Sequence, residues 1–221
     1  PWGKTLLARL FRGSKVKSLK IKDFKLDKIE RMNNMKKLMI LGAGVYQVPL
    51  IQRAKEKGLY TIVVSIPGNY PGFELADKIY YENTTDCEKI LKIAQEEKID
   101  GIVTAGTDVA VVTVGKVCDA MNLCGISYEA AQISGDKLLM KDQYEKHGVR
   151  TAKYRKIFFA DKDIEEKISE LAQPLIFKAV DSSGSRGIIR VDDLSKCKET
   201  IEEVKKYTKK DYFIAEEFLE G

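Results

Sequence analysis

Between Leu38 and Met121 apolar, strand-like segments alternate with amphipathic helical ones, and this alternation constrains the fold more than any other feature of the chain. Leu38–Leu41 is an apolar run ending in Gly42-Ala43-Gly44, and a helical pattern follows to about Lys57, closed by Gly58. Tyr60–Ser65 is apolar and β-branched and reads as a second strand. Pro67, Gly68, Asn69, Pro71 and Gly72 mark a loop. Lys78–Tyr81 reads as a third strand, Asp86–Lys98 as a helix with Ile90, Leu91, Ile93 and Ala94 inward, Gly101–Ala105 as a fourth strand and Asp108–Met121 as a helix. Helix-length connections carry the chain back across the sheet, so successive strands run parallel. The spacing predicts an α/β unit with a parallel sheet over residues 35–125.

The pattern then changes. Ile126 to Gly148 is mostly helical, with Ser134-Gly135-Asp136 as a start signal and His147-Gly148 as a stop, and a linking helix is expected within 126–150. A unit of different order occupies 151–221: strand (Lys153–Phe158), helix (Asp163–Leu171), strand (Leu175–Val180), Gly/Ser loop, strand (Gly187–Val191), helix (Leu194–Lys206), strand (Tyr212–Phe218). The chain stops at Gly221 directly after that strand, which reads as truncation.

Composition narrows the function. With 221 residues, 44% apolar and 32% charged, the chain can bury a core and is not a disordered polymer. No apolar run approaches the roughly 18–20 residues that span a bilayer. A single histidine, His147, excludes a multi-histidine metal centre. Cys87, Cys118, Cys124 and Cys197 form no C-x-x-C pair, which argues against a zinc ribbon or thioredoxin-type site and for free thiols in a reducing cytoplasm. The net charge of +5 is unevenly placed: residues 1–37 hold 12 Lys+Arg against 3 Asp+Glu, and the rest 26 against 30. The basic character belongs to an N-terminal extension, 1–34, or to the end of another module. That arm suits solubility better than nucleic-acid or membrane binding, and the body offers no nucleic-acid footprint.

Several stretches point to chemistry. Gly42-Ala43-Gly44 follows a strand, as in dinucleotide-binding turns, but Gln47 stands where the third glycine belongs and the second strand ends Val63-Val64-Ser65-Ile66-Pro67 with no ribose-holding acid. A tight turn, or contact with another small ligand, fits better. Gly3-Lys4-Thr5 lacks the earlier glycine and strand of a phosphate-binding loop and reads as chance. Pro174–Ile188 is more informative. Lys178 sits near a strand end, the loop Ser182, Ser183, Gly184, Ser185, Arg186 and Gly187 follows after Ala179-Val180-Asp181, and a new strand starts at once. Small residues let backbone N–H groups form a concave phosphate nest, and Lys178 adds a point charge. A flexible hairpin with a solvent-facing lysine is the plain alternative. Ile214–Gly221 runs from an apolar strand into Glu216, Glu217 and Glu220: a solvated edge, or a segment offering backbone groups and a carboxylate to an adenine amino group. Lys137, beside Gly135-Asp136 and four residues before Lys141, is either a surface lysine or aimed at a phosphate.

Taken in order, S-G-D-K-x-x-x-K (134–141), P-x-I-x-K (174–178), a Gly/Ser loop with R-G (182–187) and E-E-F-x-E-G (216–221) resemble the ATP-grasp superfamily, most of all its carbamoyl-phosphate-synthetase-like and carboxylate–amine ligase group. The resemblance covers roughly 35–221 and implies a Rossmann-like pre-ATP-grasp domain at 35–125, then an ATP-grasp lid subdomain at 151–221. It implies ATP phosphates at Lys137 and Lys178, the loop Ser182, Ser183, Gly184, Ser185 and Gly187 over the triphosphate, and a hinge around adenine and ribose at Glu216, Glu217, Phe218 and Leu219. Gly44, Tyr46, Gln47, Thr107 and Asp108 become candidates for the acceptor-substrate side, with helix capping as the alternative for Asp108. The implied activity is ATP-dependent activation of a small-molecule carboxylate as an acyl phosphate, followed by attack of an amine. The implied cofactors are ATP and Mg²⁺. The family's metal ligands and the rest of its catalytic residues are expected beyond Gly221, so none is named in this chain. A homodimer is compatible with the resemblance, and neither nucleic acid nor membrane is expected as a partner. The competing readings are an NAD(P)-dependent oxidoreductase and a non-catalytic nucleotide-binding module.

Overall fold

The computed structural model describes residues 35–220, and the basic arm 1–34 with its Gly3-Lys4-Thr5 motif lies outside the described residues. Four parallel strands, β1 (Lys37–Leu41), β2 (Tyr60–Ser65), β3 (Lys78–Tyr81) and β4 (Gly101–Thr104), form one sheet in the order β3-β2-β1-β4. The two central strands read as continuous apolar runs because both faces are covered: Met39, Ile40, Leu41, Ile62, Val63 and Val64 are all fully buried. Alternate residues serve opposite layers. Met39, Leu41, Ile62 and Val64 pack against α3 (Cys87–Glu97) and α4 (Val111–Met121), whereas Ile40 and Val63 meet α1 (Val48–Glu56) and the short α2 (Pro71–Leu75) through Ile51, Ala54 and Phe73.

The connection between the sheets corrects one expectation. In place of a single linking helix there are two, α5 (Tyr128–Gly135) and α6 (Lys137–Lys146), broken at Asp136. Asp136 adopts an extended backbone (φ −126°, ψ 118°), and its Oδ1 accepts from the N–H groups of Leu138 (2.9 Å) and Leu139 (3.3 Å), so its side chain starts a new helix instead of continuing the old one. Smaller departures have similar causes. The helix after β1 begins at Val48, four residues beyond Gly44, and the helix after β4 begins at Val111 and not at Asp108. Pro71 initiates a short helix inside the stretch expected to be loop.

Strands β5 (Tyr154–Phe158), β6 (Leu175–Lys178), β7 (Ile188–Val191) and β8 (Tyr212–Glu217) build a second sheet, antiparallel, in the order β5-β8-β6-β7. One face carries Phe177, Phe213, Leu175, Ala215 and Ile157 and is covered by α7 (Ile164–Ile168) and α8 (Cys197–Lys205) through Ile168, Ile201 and Val204. The opposite face presents Ile176 and Lys178 on β6 beside Glu216 and Ile214 on β8, their register partners. Part of that face is closed by Leu138 of α6, with Tyr154 and Val180. The rest is open, and the candidate site lies there.

Candidate functional site

Two adjoining clefts share Met140 and Ile188 as their common wall. The first, about 600 Å³, runs over the open face of the second sheet and is bounded by Lys141, Ile176, Lys178, Glu216, Phe218 and Leu219 among others. The second, about 810 Å³, holds Lys137, the loop Ser182–Arg186, and Asp108 and Val109 from the parallel-sheet unit.

Glu216 organises the first cleft. Only 5% of its surface is exposed, and it ion-pairs with Lys178 through Oε1. Its other oxygen, Oε2, lies 2.8 Å from Lys141 Nζ in an ion pair, and it is the one fully buried side-chain polar atom among the described residues without a well-aligned hydrogen bond. Two of the three Lys141 protons go to Thr151 Oγ1 (2.8 Å) and the Ala152 carbonyl (3.3 Å), and the third is left for the ion pair with Oε2. A buried carboxylate oxygen held by a single ammonium keeps acceptor capacity that a ligand N–H or O–H would fill. Lys178 is therefore no solvent-facing lysine.

The neighbouring hinge residues are partly committed to the fold. Glu217 donates its backbone N–H to the Lys153 carbonyl (3.0 Å), and its carboxylate accepts from Ala172 N–H (3.0 Å). Phe218 N–H donates to Pro174 O (2.9 Å), and its ring lies 4.4 Å from the Arg190 guanidinium. Leu219 stands at the mouth, 66% exposed. What this segment offers a ligand is Glu216 Oε2 and apolar surface from Ile176, Met140, Ile188 and Leu219.

In the second cleft Lys137 reaches across from α6: its ammonium donates to the Ser182 carbonyl and its backbone N–H to Val180 O (3.1 Å). Burial, and then the like charge of Lys178, hold the Lys137 pKa below the ordinary lysine value, so an anion placed between them would be welcome to both. The loop closes on itself tightly. Ala179 N–H donates to Gly187 O at 2.7 Å, and Gly187 has φ +67°, where a Cβ would stand 2.6 Å from Tyr207 Cβ and 2.8 Å from Ala179 Cβ. Glycine is required there on both counts. Asp181, at the start of the loop, accepts from Lys209 N–H (3.1 Å).

Of the substrate-side candidates, Asp108 alone lines these clefts; its side chain does not cap α4, whose N-cap residue is Ala110 without a side-chain bond. Gly44, Tyr46, Gln47 and Thr107 gather elsewhere, at the carboxyl ends of β1 and β4. Gln47 is 5% exposed and donates from Nε2 to the Ala105 carbonyl. Its side chain fills the glycine turn: a Cβ on Gly42 (φ +100°) would meet Gln47 Cδ at 2.9 Å. Space that would admit a dinucleotide's pyrophosphate is thereby occupied by protein. Met140 on α6 and Lys209 by the second cleft enter the site from outside the motifs, and Lys141 and Arg186, quoted in the motifs without a role, line the clefts as well. Lys141 is signalled in the sequence as the closing lysine of S-G-D-K-x-x-x-K, and it lies one helical turn after the buried Leu138.

A parallel α/β sheet followed by an antiparallel sheet with helices on one face is the arrangement of the N-terminal and lid domains of ATP-grasp enzymes, and the homologues of this chain are ATP-grasp ligases. No family model matches the sequence. The alanine–anticapsin ligase of Bacillus subtilis strain 168 is 28% identical over 166 residues, 67% of this chain and 35% of that protein. The crystal structure of phosphoribosylglycinamide synthetase from Anaerococcus prevotii superposes with a TM-score of 0.64 at 33% identity, covering 85% of this chain and 47% of that one. A biotin carboxylase domain dimer of the Hydrogenobacter thermophilus 2-oxoglutarate carboxylase, solved with MgADP, shares the fold at TM-score 0.68 and 19% identity, covering 84% of this chain and 44% of that one. The chain thus spans between about a third and a half of the proteins it matches.

Proposed function

We propose that this chain supplies the nucleotide-binding portion of an ATP-dependent carboxylate–amine ligase. The observation that carries the proposal is Glu216 Oε2, buried, held by one ammonium and set in an apolar-walled cleft that adjoins a lysine-flanked Gly/Ser loop. An adenine 6-amino group is a donor that oxygen has room to accept. Ile176, Ile188 and Met140 would wall the base, and the Phe218–Leu219 backbone would close the hinge side. Lys178 and Lys137 would neutralise phosphate charge, and Ser182, Ser183, Gly184, Ser185 and Gly187 would cover the triphosphate. In this reading 35–125 is the acceptor-side unit, 126–150 the connector and 151–221 the lid unit of a cytoplasmic enzyme.

The chemistry follows from phosphoryl transfer. The substrate carboxylate attacks the γ-phosphorus, ADP leaves, and the resulting acyl phosphate is attacked by an amine with loss of inorganic phosphate. Lysines held close to the phosphates contribute by position and charge. Mg²⁺ would add charge neutralisation, but the described residues hold no group of three metal-ligating side chains, so no residue of this chain is assigned to it. A dinucleotide oxidoreductase is disfavoured because Gln47 occupies the glycine turn.

Isothermal titration of the full-length protein with Mg·ATP and with NADPH tests the assignment. ATP binding, and ADP release that requires both a carboxylate and an amine, are expected. NADPH binding tighter than ATP, or ATP turnover indifferent to both substrates, would overturn it.

A further inference from the structure

Lys141 is the one buried lysine among the described residues, and each of its protons has a protein acceptor. Thr151 Oγ1 takes one at 2.8 Å, the Ala152 carbonyl one at 3.3 Å, and the third serves the ion pair with Glu216 Oε2, 2.8 Å away. No proton is left for a nucleotide. Lys178, by contrast, has 24% of its side chain exposed, against 9% for Lys141. Burying an ammonium costs desolvation free energy, and a helix packed only for stability needs none.

The ammonium also stands over an aromatic ring. Its Nζ is 5.1 Å from the centroid of Tyr154, a distance at which a ring face attracts a cation. Tyr154 is the register partner of Glu216 across β5 and β8 and so shares its face of the sheet. Its hydroxyl reaches α6 one residue beyond Lys141 and donates to Asp142 Oδ1 at 2.7 Å. Burial, and then the bond to Asp142, raise the Tyr154 pKa far above the ordinary phenol value, so the hydroxyl stays a donor. Thr151, Ala152 and Tyr154 thus form one short segment, leading into β5, that holds Lys141 at three points.

We infer that Lys141 and Tyr154 are positioning residues for base recognition: the 151–154 segment fixes the Lys141 ammonium, and the ammonium holds Glu216 Oε2 towards the cleft and away from Lys178. The inference deepens the ligase reading and rests on it. Neither residue needs to touch the nucleotide. Without Lys141 the carboxylate has only Lys178 to pair with, both oxygens turn to it, and the acceptor leaves the place where a base amino group would meet it. Without the Tyr154 hydroxyl, α6 loses its tie to β5 beside Lys141, and the same displacement follows to a smaller extent.

The test is the ratio of Mg·ATP to Mg·GTP affinity, measured by isothermal titration of the full-length protein, in which phosphate contacts common to both cancel. Lys141→Met should shrink the ratio about tenfold and Tyr154→Phe about threefold. In a Glu216→Gln background neither should move it by more than about twofold, since the carboxylate they position is gone. Lys141→Met removes the partner of a buried charge, and its melting temperature should fall. Tyr154→Phe leaves Asp142 exposed to water, so it should melt near the unsubstituted protein and carries the test even where Lys141→Met does not fold. ATP and GTP weakened by the same factor in Tyr154→Phe, a ratio that Tyr154→Phe leaves unchanged, or effects that persist in full beside Glu216→Gln would each overturn the inference. So would an unsubstituted protein that binds ATP and GTP equally. Failure of that protein to bind Mg·ATP at all would instead contradict the ligase reading and remove the inference with it, so the two failures are told apart at the first titration.

Discussion

Each sheet has one glutamate buried among lysines, and the two are completed differently. Glu97, 8% exposed at the end of α3, receives Lys78 and the Tyr80 hydroxyl on Oε1, with Lys37 3.6 Å from Oε2. It lies by the starts of β1 and β3, the edge of a parallel sheet away from where ligands bind. Glu216, 5% exposed in the antiparallel sheet, has two lysines at ion-pair distance but an oxygen without a hydrogen bond, and it faces a cleft. A buried carboxylate tied to three partners away from either cleft fastens the fold, whereas one whose second oxygen faces a cavity with acceptor capacity to spare is fitted to something that arrives. The pair therefore separates structural from ligand-directed burial within one chain.

The largest effect that could break the comparison is at Lys178. In the full-length protein Lys178→Met should lower Mg·ATP affinity by roughly 10- to 150-fold, the equivalent of a charge-assisted hydrogen bond of about 1.5–3 kcal/mol. From the sequence alone the free protein would be expected to melt normally. The ion pair changes that expectation: with Lys178 gone, Glu216 keeps only Lys141, and the melting temperature should fall. ATP binding unchanged in titration would remove Lys178 from the phosphate site.

Glu97→Gln should do the reverse. Stability should drop by about 1–3 kcal/mol, discounted because Lys78 is partly exposed, while ATP affinity holds. A denaturant titration beside a nucleotide titration checks both halves.

Acid should reach the parallel sheet through the same kind of group. Burial alone would raise the pKa values of Asp77 and Glu97, but hydrogen bonds from Lys55 and Thr61 to Asp77, and from Lys78 and Tyr80 to Glu97, more than offset it, and both carboxyls titrate below their ordinary values. A depressed carboxyl pKa contributes stability that is in place above the ordinary carboxylate range and drains as pH falls through the folded value. Melting temperature should thus hold from neutral to about pH 5 and decline below about pH 4. A curve flat to pH 3 would contradict the assignment. The smallest effect is the control: Lys196→Met, on an exposed 3₁₀ turn, should alter neither melting nor ATP affinity.

Much of this was legible in the sequence because the signals were local. The four parallel strands announced themselves as short apolar runs between helical periods, and Asp136 as a helix start. The Glu216 cluster was not legible in the same way. Lys141 lies on the inner side of α6 next to Leu138, where a lysine ordinarily reads as surface, and only a carboxylate 75 positions later in the chain explains it. The start at Asp136 was legible, but that a separate helix precedes it was not, because the helical pattern on its two sides is continuous. Gln47 was visible as a missing glycine, but that its amide fills the turn is a fact of packing.

The account stands most directly on what Glu216 Oε2 accepts. Adenine presents a 6-amino donor, whereas guanine presents a 6-oxo acceptor that a carboxylate repels. Phosphate contacts are common to ATP and GTP and cancel in the ratio of their affinities. Measured by titration of the full-length protein, that ratio should favour ATP by one to two decades and shrink at least tenfold in Glu216→Gln, whose amide can donate to the 6-oxo group. A ratio unchanged by Glu216→Gln would contradict the claim that this buried carboxylate is built to read the base.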